Sequence, residues 1–187
     1  MIDVGLKEWA VVCDLLLAGK TAMLLRKGGI SERSGAGVFE LEHEKFVLFP
    51  SWLHTKKEML KPQHREAASG IGSEPSEITF RGFGVVNHIW RVPSRASLDS
   101  LDDLHCWTPG YLDQRWEYRK ENPLYVMAVR AWRLREEKTI AYRQAFYGCH
   151  SWVPLDESEA VEERGAEAAM GEERFAEAVR RMGEAMG

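Results

Sequence analysis

Two adjacent cations followed by two glycines are the clearest candidate for chemistry in this sequence. Arg26 and Lys27 end an apolar segment, and Gly28 and Gly29 follow directly. Glycines let a backbone approach a ligand closely, and their N–H groups together with two cationic side chains suit an anion. The segment therefore predicts a phosphate-binding site at the end of a strand. The alternative interpretation is a solvated strand end with a Gly-Gly turn.

A basic run after Pro50 is the second candidate. Trp52 precedes it, and its polar members are His54, Lys56, Lys57 and Lys61. Lysines neutralise phosphates and tryptophan stacks on bases, so the run predicts a phosphate-contacting patch beside a base-binding aromatic side chain. An exposed helix face over residues 52–61 is the alternative.

A third candidate mixes aromatic and cationic side chains between residues 107 and 120. Arg115 and Trp116 lie at its centre, and a cationic wall with an aromatic floor suits an unpaired or flipped base. The alternative is one amphipathic helix with Tyr111, Leu112 and Trp116 against the core. The members of the group are Trp107, Tyr111, Arg115, Trp116, Tyr118, Arg119 and Lys120.

Catalytic and metal-binding patterns are weaker. His54 and His43, assisted by lysines, are the candidates for a histidine-based or metal-dependent nuclease. Glu40, Glu42 and Glu44 lie close in sequence but lack the order of a metal-dependent nuclease motif. The pairs at 105–106 and 149–150 supply two cysteines and two histidines, but without the usual gap between zinc ligands. We therefore expect no metal, no cofactor, and a binding module rather than an enzyme.

The net charge of −4 is unevenly distributed along the 187 residues. Residues 156–187 hold ten acids and four arginines, a net of −6, so residues 1–155 carry +2. A mildly basic body is compatible with nucleic acid, which the overall charge alone would disfavour. No apolar run approaches the ~18–20 residues of a membrane span, and no signal-peptide pattern is present. Three scattered cysteines predict no disulfide framework, so we expect a cytoplasmic protein without membrane association.

The apolar spacing predicts the elements that hold these residues. Trp9, Val12 and Leu16 lie on one face of a helix predicted over residues 3–18. Residues 21–26 are apolar on both faces, as in a central strand. Gly82 and Gly84 indicate a bulge in a long strand. Further strands are predicted at 38–42, 46–49, 78–92, 124–134 and 151–155, and short helices at 52–61, after Ser97, and at 111–118.

These elements predict an α+β fold with one domain over residues 1–155. Its centre is a small, mostly antiparallel β-barrel or curled sheet, preceded by the N-terminal helix. Residues 156–187 form an acidic helical tail of one or two loosely held helices, starting at a capping-box pattern at 156–159. The tail is also the predicted surface for a protein partner or for self-association.

Several short motifs, in order along the chain, resemble one known family. They are found at residues 7–10, 24–30, 46–50, 60–62, 123–125 and 148–152. The family is the prokaryotic domain of unknown function numbered 1802, and the resemblance spans about residues 4–155. Members fused to restriction-endonuclease-type domains imply a role in DNA restriction, modification or defence.

The opening of the chain also resembles PUA and ASCH domains. Trp9, Leu17, Gly19-Lys20 and Leu25-Arg26 match their helix, turn and first strand. The resemblance implies a PUA/ASCH-like fold that binds RNA or inspects a base in DNA. In place of the acidic residue that usually precedes the arginine, this chain has leucine.

The leading functional hypothesis is a nucleic-acid-binding module that reads a base or a DNA end, with DNA rather than RNA as its partner. Arg26, Lys27 and the 56–61 run would hold phosphates, and Trp52 or Trp116 would meet a base. The alternatives are a nuclease or other phosphodiesterase, and an interaction subunit that acts through the acidic tail.

Overall fold

The structure is a computed structural model, and it describes residues 1–27, 38–53, 55–68 and 75–187. The strands in this part of the chain are β1 (Val4–Trp9), β2 (Met23–Arg26), β3 (Lys45–Ser51), β4 (Glu77–Arg91), β5 (Tyr125–Ala141), β6 (Trp152–Pro154) and β7 (Glu167–Ala168). The α-helices are α1 (Ala10–Leu17), α2 (Pro109–Glu117) and α3 (Glu172–Met186). Short 3₁₀ helices span Lys57–Met59, Pro62–His64, Arg95–Leu104 and Gln144–Phe146.

The strands form one mixed sheet in the order β2-β5-β4-β3-β1-β6, with β7 paired to β5. Only β1 and β3 pair in parallel, and the other described pairs are antiparallel. The predicted α+β fold with a curled, mostly antiparallel sheet is confirmed. The sheet is not closed into a barrel, since β2 and β6 remain at its two ends.

The predicted helix over residues 3–18 is wrong in its first half. Residues 4–9 form β1, which is hydrogen-bonded between β3 and β6, and only Ala10–Leu17 is helical. Residues 4–7 are all buried, so both faces of this strand are covered. Gly5 permits this close packing, because a Cβ atom there would lie 2.9 Å from the Phe49 ring.

Strand β3 shows how the sheet separates two apolar cores. Phe46 and Leu48 belong to the core that also contains α1 and α3, whereas Val47 and Phe49 belong to the core on the other face. Successive side chains of a strand point to opposite faces, and both faces are covered here. The continuous apolar run at residues 46–49 follows from this arrangement.

The predicted bulge in the long strand is present in β4. The register with β5 shifts between Phe80 and Gly82, and again between Val86 and His88. A Cβ atom at Gly82 would lie 2.2 Å from Cδ2 of Leu17 and 2.4 Å from the carbonyl oxygen of Trp132. The glycine is therefore needed for the close approach of α1 to the sheet.

Two predicted elements differ from the structure. Residues 38–42 form no strand; Phe39 is buried and stacks on Trp152, whose Nε1 donates to the Glu40 carbonyl oxygen at 2.9 Å. Their alternating pattern reflects burial of Phe39 rather than strand pairing. In the described part of 52–61, only Lys57–Met59 is helical, as a single 3₁₀ turn.

The C-terminal segment packs against the body of the protein. Residues 156–159 form a turn in which the Asp156 N–H donates to Glu159 Oε2 at 2.8 Å, so the capping-box pattern starts no helix there. Helix α3 buries an apolar stripe, and ion pairs join Glu172 to Arg130 and Arg181 to Asp103. The predicted loose attachment is therefore wrong for α3. Its buried side chains are Phe175, Ala178, Met182 and Met186.

Across the described ranges, none of the helices has both the length and the apolar character that crossing a membrane requires.

Candidate functional site

A cleft of about 210 Å³ lies where several strands end beside α2. Because β1 and β3 are parallel, their carboxyl ends lie at the same edge of the sheet, and the start of β6 pairs beside them. The curl of the sheet brings in the end of β2, and α2 covers one side. We call this the basic cleft. It is lined by Lys7, Glu8, Trp9, Leu25, Arg26, Lys27, Ser51, Leu53, Tyr111, Arg115, Gly148, Cys149, His150 and Ser151.

The charge of this lining is strongly positive. Among its described residues, four are lysines or arginines and one, Glu8, is a carboxylate. A concave wall of one charge sign concentrates ligands of the opposite sign. The basic cleft is therefore a site for an anion.

Arg26 crosses the cleft from β2 to β1. Its Nη2 donates to the Lys7 carbonyl oxygen at 2.7 Å and lies 3.4 Å from Oε2 of Glu8. Its Nε is buried and has no hydrogen-bond partner among the residues that the structure describes. Buried donors are normally paired, so this N–H is available to an oxygen atom of a ligand.

Arg115 reaches the same cleft from α2. Within the described ranges its Nε is also buried without a hydrogen-bond partner, and its guanidinium lies 5.9 Å from the Tyr118 ring centre. The start of α2 is fixed by Thr108, whose hydroxyl accepts from the Tyr111 N–H, and by Pro109 at the first helical position. Two cationic side chains with unpaired buried donors thus line one cleft from different elements.

Aromatic rings form a further wall of the cleft. Trp9 and Tyr111 lie 4.9 Å apart between ring centres at an angle of 50°, and Trp107 stacks behind Tyr111 at 5.9 Å. Burial raises the pKa of Tyr111 to about 12, so its phenol stays protonated near neutral pH and can donate a hydrogen bond. The wall offers a planar surface with a polar group at its edge.

Lys7 positions the last part of the lining. The residue is 8% exposed, and its Nζ donates to the carbonyl oxygens of Phe146 and Gly148. These bonds hold the segment 148–151, which carries Cys149 and His150 into the cleft. An ammonium group at this depth is stabilised by such carbonyl partners.

Of the residues predicted from sequence to bind nucleic acid, Arg26, Lys27 and Arg115 line the same cleft. Lys27 is 1% exposed and borders the cleft, and its Nζ donates to the Trp116 carbonyl oxygen at 2.8 Å, which anchors the end of α2. Trp116 lines a separate recess on the far side of that end. Gly28, Gly29 and His54 lie outside the described residues.

The basic run divides into exposed and buried members. Lys56 and Lys57 are exposed beside the Leu60–Trp107 bridge that joins this segment to the chain before α2. Lys61 instead pairs with Asp102 at 2.9 Å and donates to the His105 carbonyl oxygen at 3.0 Å. These partners within the protein occupy the Lys61 ammonium group, which the sequence predicted to contact a phosphate. Trp52 is half-buried next to Ser51 but does not line the cleft.

The histidine and cysteine candidates are dispersed. His43 is exposed and meets the edge of Trp152 at 5.2 Å, outside the lining of the cleft. Burial lowers the pKa of His105 to about 4 and raises that of Cys106 to about 12. In the ranges that the structure describes, no three His, Cys, Asp or Glu side chains are grouped to hold a metal ion.

Sequence reasoning missed Lys7, Glu8 and Trp9 as members of the site, because it placed them on a helix. It also missed His150 and Ser151. The one local signal was the Lys7-Glu8 pair next to the apolar residues 4–6, a charged pair at the end of a buried strand.

The chain belongs to the family described as a domain of unknown function, DUF1802, whose model matches residues 5–181. The match continues past residue 155, where the resemblance seen in the sequence ends, and includes most of α3.

Among solved structures, the chain is similar to a mutant ASCH protein from Zymomonas mobilis, with 9% identity and a TM-score of 0.48. The likeness covers 85% of this chain and 94% of that one. No curated protein matches the chain significantly.

Proposed function

We propose that this domain binds nucleic acid and holds a backbone phosphate in the basic cleft. The observation that carries the proposal is one positively charged cavity lined by Arg26 and Arg115, each with a buried Nε–H that lacks a partner among the described residues. Guanidinium groups match phosphate oxygens in charge and in the direction of their N–H bonds. A phosphate between them satisfies both donors.

The aromatic wall supplies the second part of the proposed site. Trp9 and Tyr111 present ring faces and edges to the cavity that holds the two arginines. Stacking of a base on aromatic side chains contributes about 1–3 kcal/mol per base. Trp9 and Tyr111 therefore take the base-contacting role that the sequence assigned to Trp52 or Trp116.

The exposed lysines extend the proposed interface. Lys56 and Lys57 lie on the segment that bridges to Trp107, directly before α2, and their side chains face solvent. Contacts of this kind position a nucleic acid without reading its sequence. Phosphate contacts by Gly28, Gly29 and His54 stay predictions.

The finer assignment rests on the family resemblance. Family members fused to restriction-endonuclease-type domains favour DNA over RNA as the ligand, and a role in DNA restriction, modification or defence. In that role the domain reads a base or a DNA end while a partner domain or protein cuts or modifies the DNA.

Binding of fluorescein-labelled oligonucleotides by fluorescence anisotropy tests the proposal. The wild-type chain is expected to bind DNA with an affinity that falls as salt rises, and Arg115→Ala is expected to weaken binding about 10-fold or more. Arg174→Ala is the matched control, because it removes one exposed arginine from α3. Equal affinities for wild type and Arg115→Ala would refute the proposal.

A phosphodiester-processing enzyme is the second candidate, because His150 and Cys149 line the same cavity as Arg26 and Arg115. A histidine beside a bound phosphate is placed for general acid or base chemistry. Incubation with labelled DNA and RNA, with and without divalent metal ions, tests it. If product forms with wild type but not with His150→Ala, the result supports an enzyme that uses His150. If product is lost only in His54→Ala or His43→Ala, the catalytic histidine is one of the two predicted from sequence.

A protein partner for residues 156–187 is supported only by their acidic outer surface. The apolar stripe of α3 faces the core, so such a partner would meet charged side chains such as Glu173 and Glu177.

A further inference from the structure

A second cationic recess lies on the other side of the end of α2 from the basic cleft. The end of β4 supplies Arg91 and Val92, and the segment after α2 closes its opposite side. We call it the basic recess. Its lining residues are Lys27, Arg91, Val92, Trp116, Lys120, Asn122, Pro123 and Leu124.

The charge of the basic recess is entirely positive in the part of the chain that the structure describes. Its lining contains Lys27, Arg91 and Lys120 but no carboxylate. Lys120 forms an exposed ion pair with Glu117 at 3.0 Å, a contact that solvent screens and that a ligand can replace at little cost.

The volume of the basic recess restricts what it can hold. It measures about 40 Å³, and roughly 10–15 Å³ of such volume is enough to hold one water molecule. A phosphate group is smaller than a base, so it is the part of a nucleotide that this narrower recess suits. The basic cleft, at about 210 Å³, is the larger of the two cavities.

Lys27 connects the two cavities, because its side chain contributes to both linings. Burial lowers the pKa of Lys27, and the positive charges of Arg115 and Lys120 lower it further, whereas the carboxylates of Glu121 and Glu117 raise it. The buried ammonium group of Lys27 thus interacts electrostatically with one cation of each cavity. The two sites lie within reach of one lysine side chain.

The end of α2 forms the ridge between them. Arg115 lines the cleft and the next residue, Trp116, lines the recess, since consecutive helical residues point in different directions. A polyanion that occupies both cavities must cross this ridge. Trp116 is half-buried there and offers a ring to a base beside the recess.

We propose that the basic recess is a second phosphate subsite and that the ligand is single-stranded nucleic acid, with successive phosphates in the cleft and in the recess. This inference rests on the proposed function. The aromatic wall of the cleft favours a single strand, because an unpaired base can meet Trp9 and Tyr111. The bases of a duplex are paired and stacked inside the double helix.

The test compares an oligothymidine of about ten nucleotides, a duplex of that length, and thymidine monophosphate as ligands. The wild-type chain is expected to bind the single strand at least about 10-fold more tightly than the duplex. The double variant Arg91→Ala, Lys120→Ala is expected to weaken single-strand binding about 10-fold or more. It is also expected to lower the salt slope of log K by roughly 0.7, the value for one lost phosphate contact on a single strand.

The control removes the same charge elsewhere. Lys20→Ala with Arg174→Ala changes two exposed cations near the start of β2, at the other end of the strand from Arg26. This control is expected to leave the single-strand affinity and salt slope within about twofold and roughly 0.3 of wild type.

The outcomes separate this inference from the proposed function. Thymidine monophosphate, bound in the cleft alone, is expected to lose affinity in Arg115→Ala and keep it in the Arg91/Lys120 double variant. A double variant with unchanged strand affinity and slope, or a duplex bound as tightly as the strand, overturns the second subsite alone. If Arg115→Ala binds every ligand as tightly as wild type, the proposed function itself is overturned.

Discussion

The ammonium group of Lys7 donates a hydrogen bond to the carbonyl oxygen of Gly148 at 3.1 Å, although 141 positions separate the two residues. Lys7 lies in β1, between its neighbours β3 and β6, and Gly148 lies in the segment before β6. The contact joins a buried strand to the part of the cleft that carries Cys149 and His150. Lys7 is thereby a positioning residue of the site.

Replacing Lys7 with methionine tests this role. The substitution removes the Lys7 hydrogen bonds to two carbonyl oxygens, of which that of Phe146 keeps the Tyr142 hydroxyl as a donor at 3.3 Å, so we expect the free energy of unfolding to fall by about 1–3 kcal/mol. We also expect Cys149 to react faster with a thiol reagent, because the segment around it is released. Urea denaturation and the rate of thiol labelling measure the two effects.

Lys45→Met provides the comparison for Lys7. Lys45 pairs with Glu163 at 2.5 Å, but both side chains are about two-fifths exposed, at 43% and 40%. We expect this change to cost at most about 1 kcal/mol and to leave thiol labelling unchanged. Equal effects of the two substitutions would show that Lys7 does not hold the segment.

The acid stability of the protein is expected to depend on His105. Burial, reinforced by the charge of Lys61, lowers its pKa from 6.5 to about 4. The unfolded chain therefore binds a proton in the interval from pH 6.5 to pH 4 that the folded chain does not. The stability due to the neutral imidazole is complete above pH 6.5 and is lost as the pH falls through 4.

The shift corresponds to about 3 kcal/mol. In urea denaturation at a series of pH values, we expect wild type to lose stability over this interval and His105→Asn to lose much less of it. Asparagine keeps an acceptor for the Trp107 N–H, which donates to Nδ1 of His105 at 3.2 Å. His88→Gln changes an exposed imidazole and serves as the control. Parallel pH profiles for wild type and His105→Asn would contradict the assignment.

The parts of the site that sequence could predict are those with a local signal. Residues 23–26 are apolar on both faces and end in a cation, and the pattern gives both the strand and the position of Arg26. The signal at Lys7 and Glu8, a charged pair after apolar residues, is hidden because the helical spacing from Trp9 onwards merges with the strand before it. What makes residues 4–9 a strand is pairing with β3 and β6, which lie far away in the sequence.

Lys27 shows a second limit of prediction from sequence, which again comes from a contact between distant residues. The sequence identifies the cation but not the acceptor, and the acceptor is the Trp116 carbonyl oxygen on α2. A charged side chain next to glycines suggests a surface site by composition alone. Only the packing of α2 across the end of β2 determines that the ammonium group is inside the protein.

The final prediction concerns the relation of α3 to the rest of the fold. Met182 is fully buried in the core that also contains α1 and one face of the sheet. We expect Met182→Ala to lower the free energy of unfolding by about 2–4 kcal/mol, because it removes a buried side chain and leaves a cavity. The unfolding transition should remain single, with tryptophan fluorescence and far-ultraviolet circular dichroism giving the same midpoint.

Arg180→Ala, on the exposed face of α3, is the control, and its midpoint is expected to stay near that of wild type. The pair of variants also tests the domain organisation predicted from sequence. If residues 156–187 are a separate tail, Met182→Ala leaves the main transition in place and adds an earlier one seen only by circular dichroism. If α3 is part of the core, both signals shift together, because the loss of its packing destabilises the whole sheet.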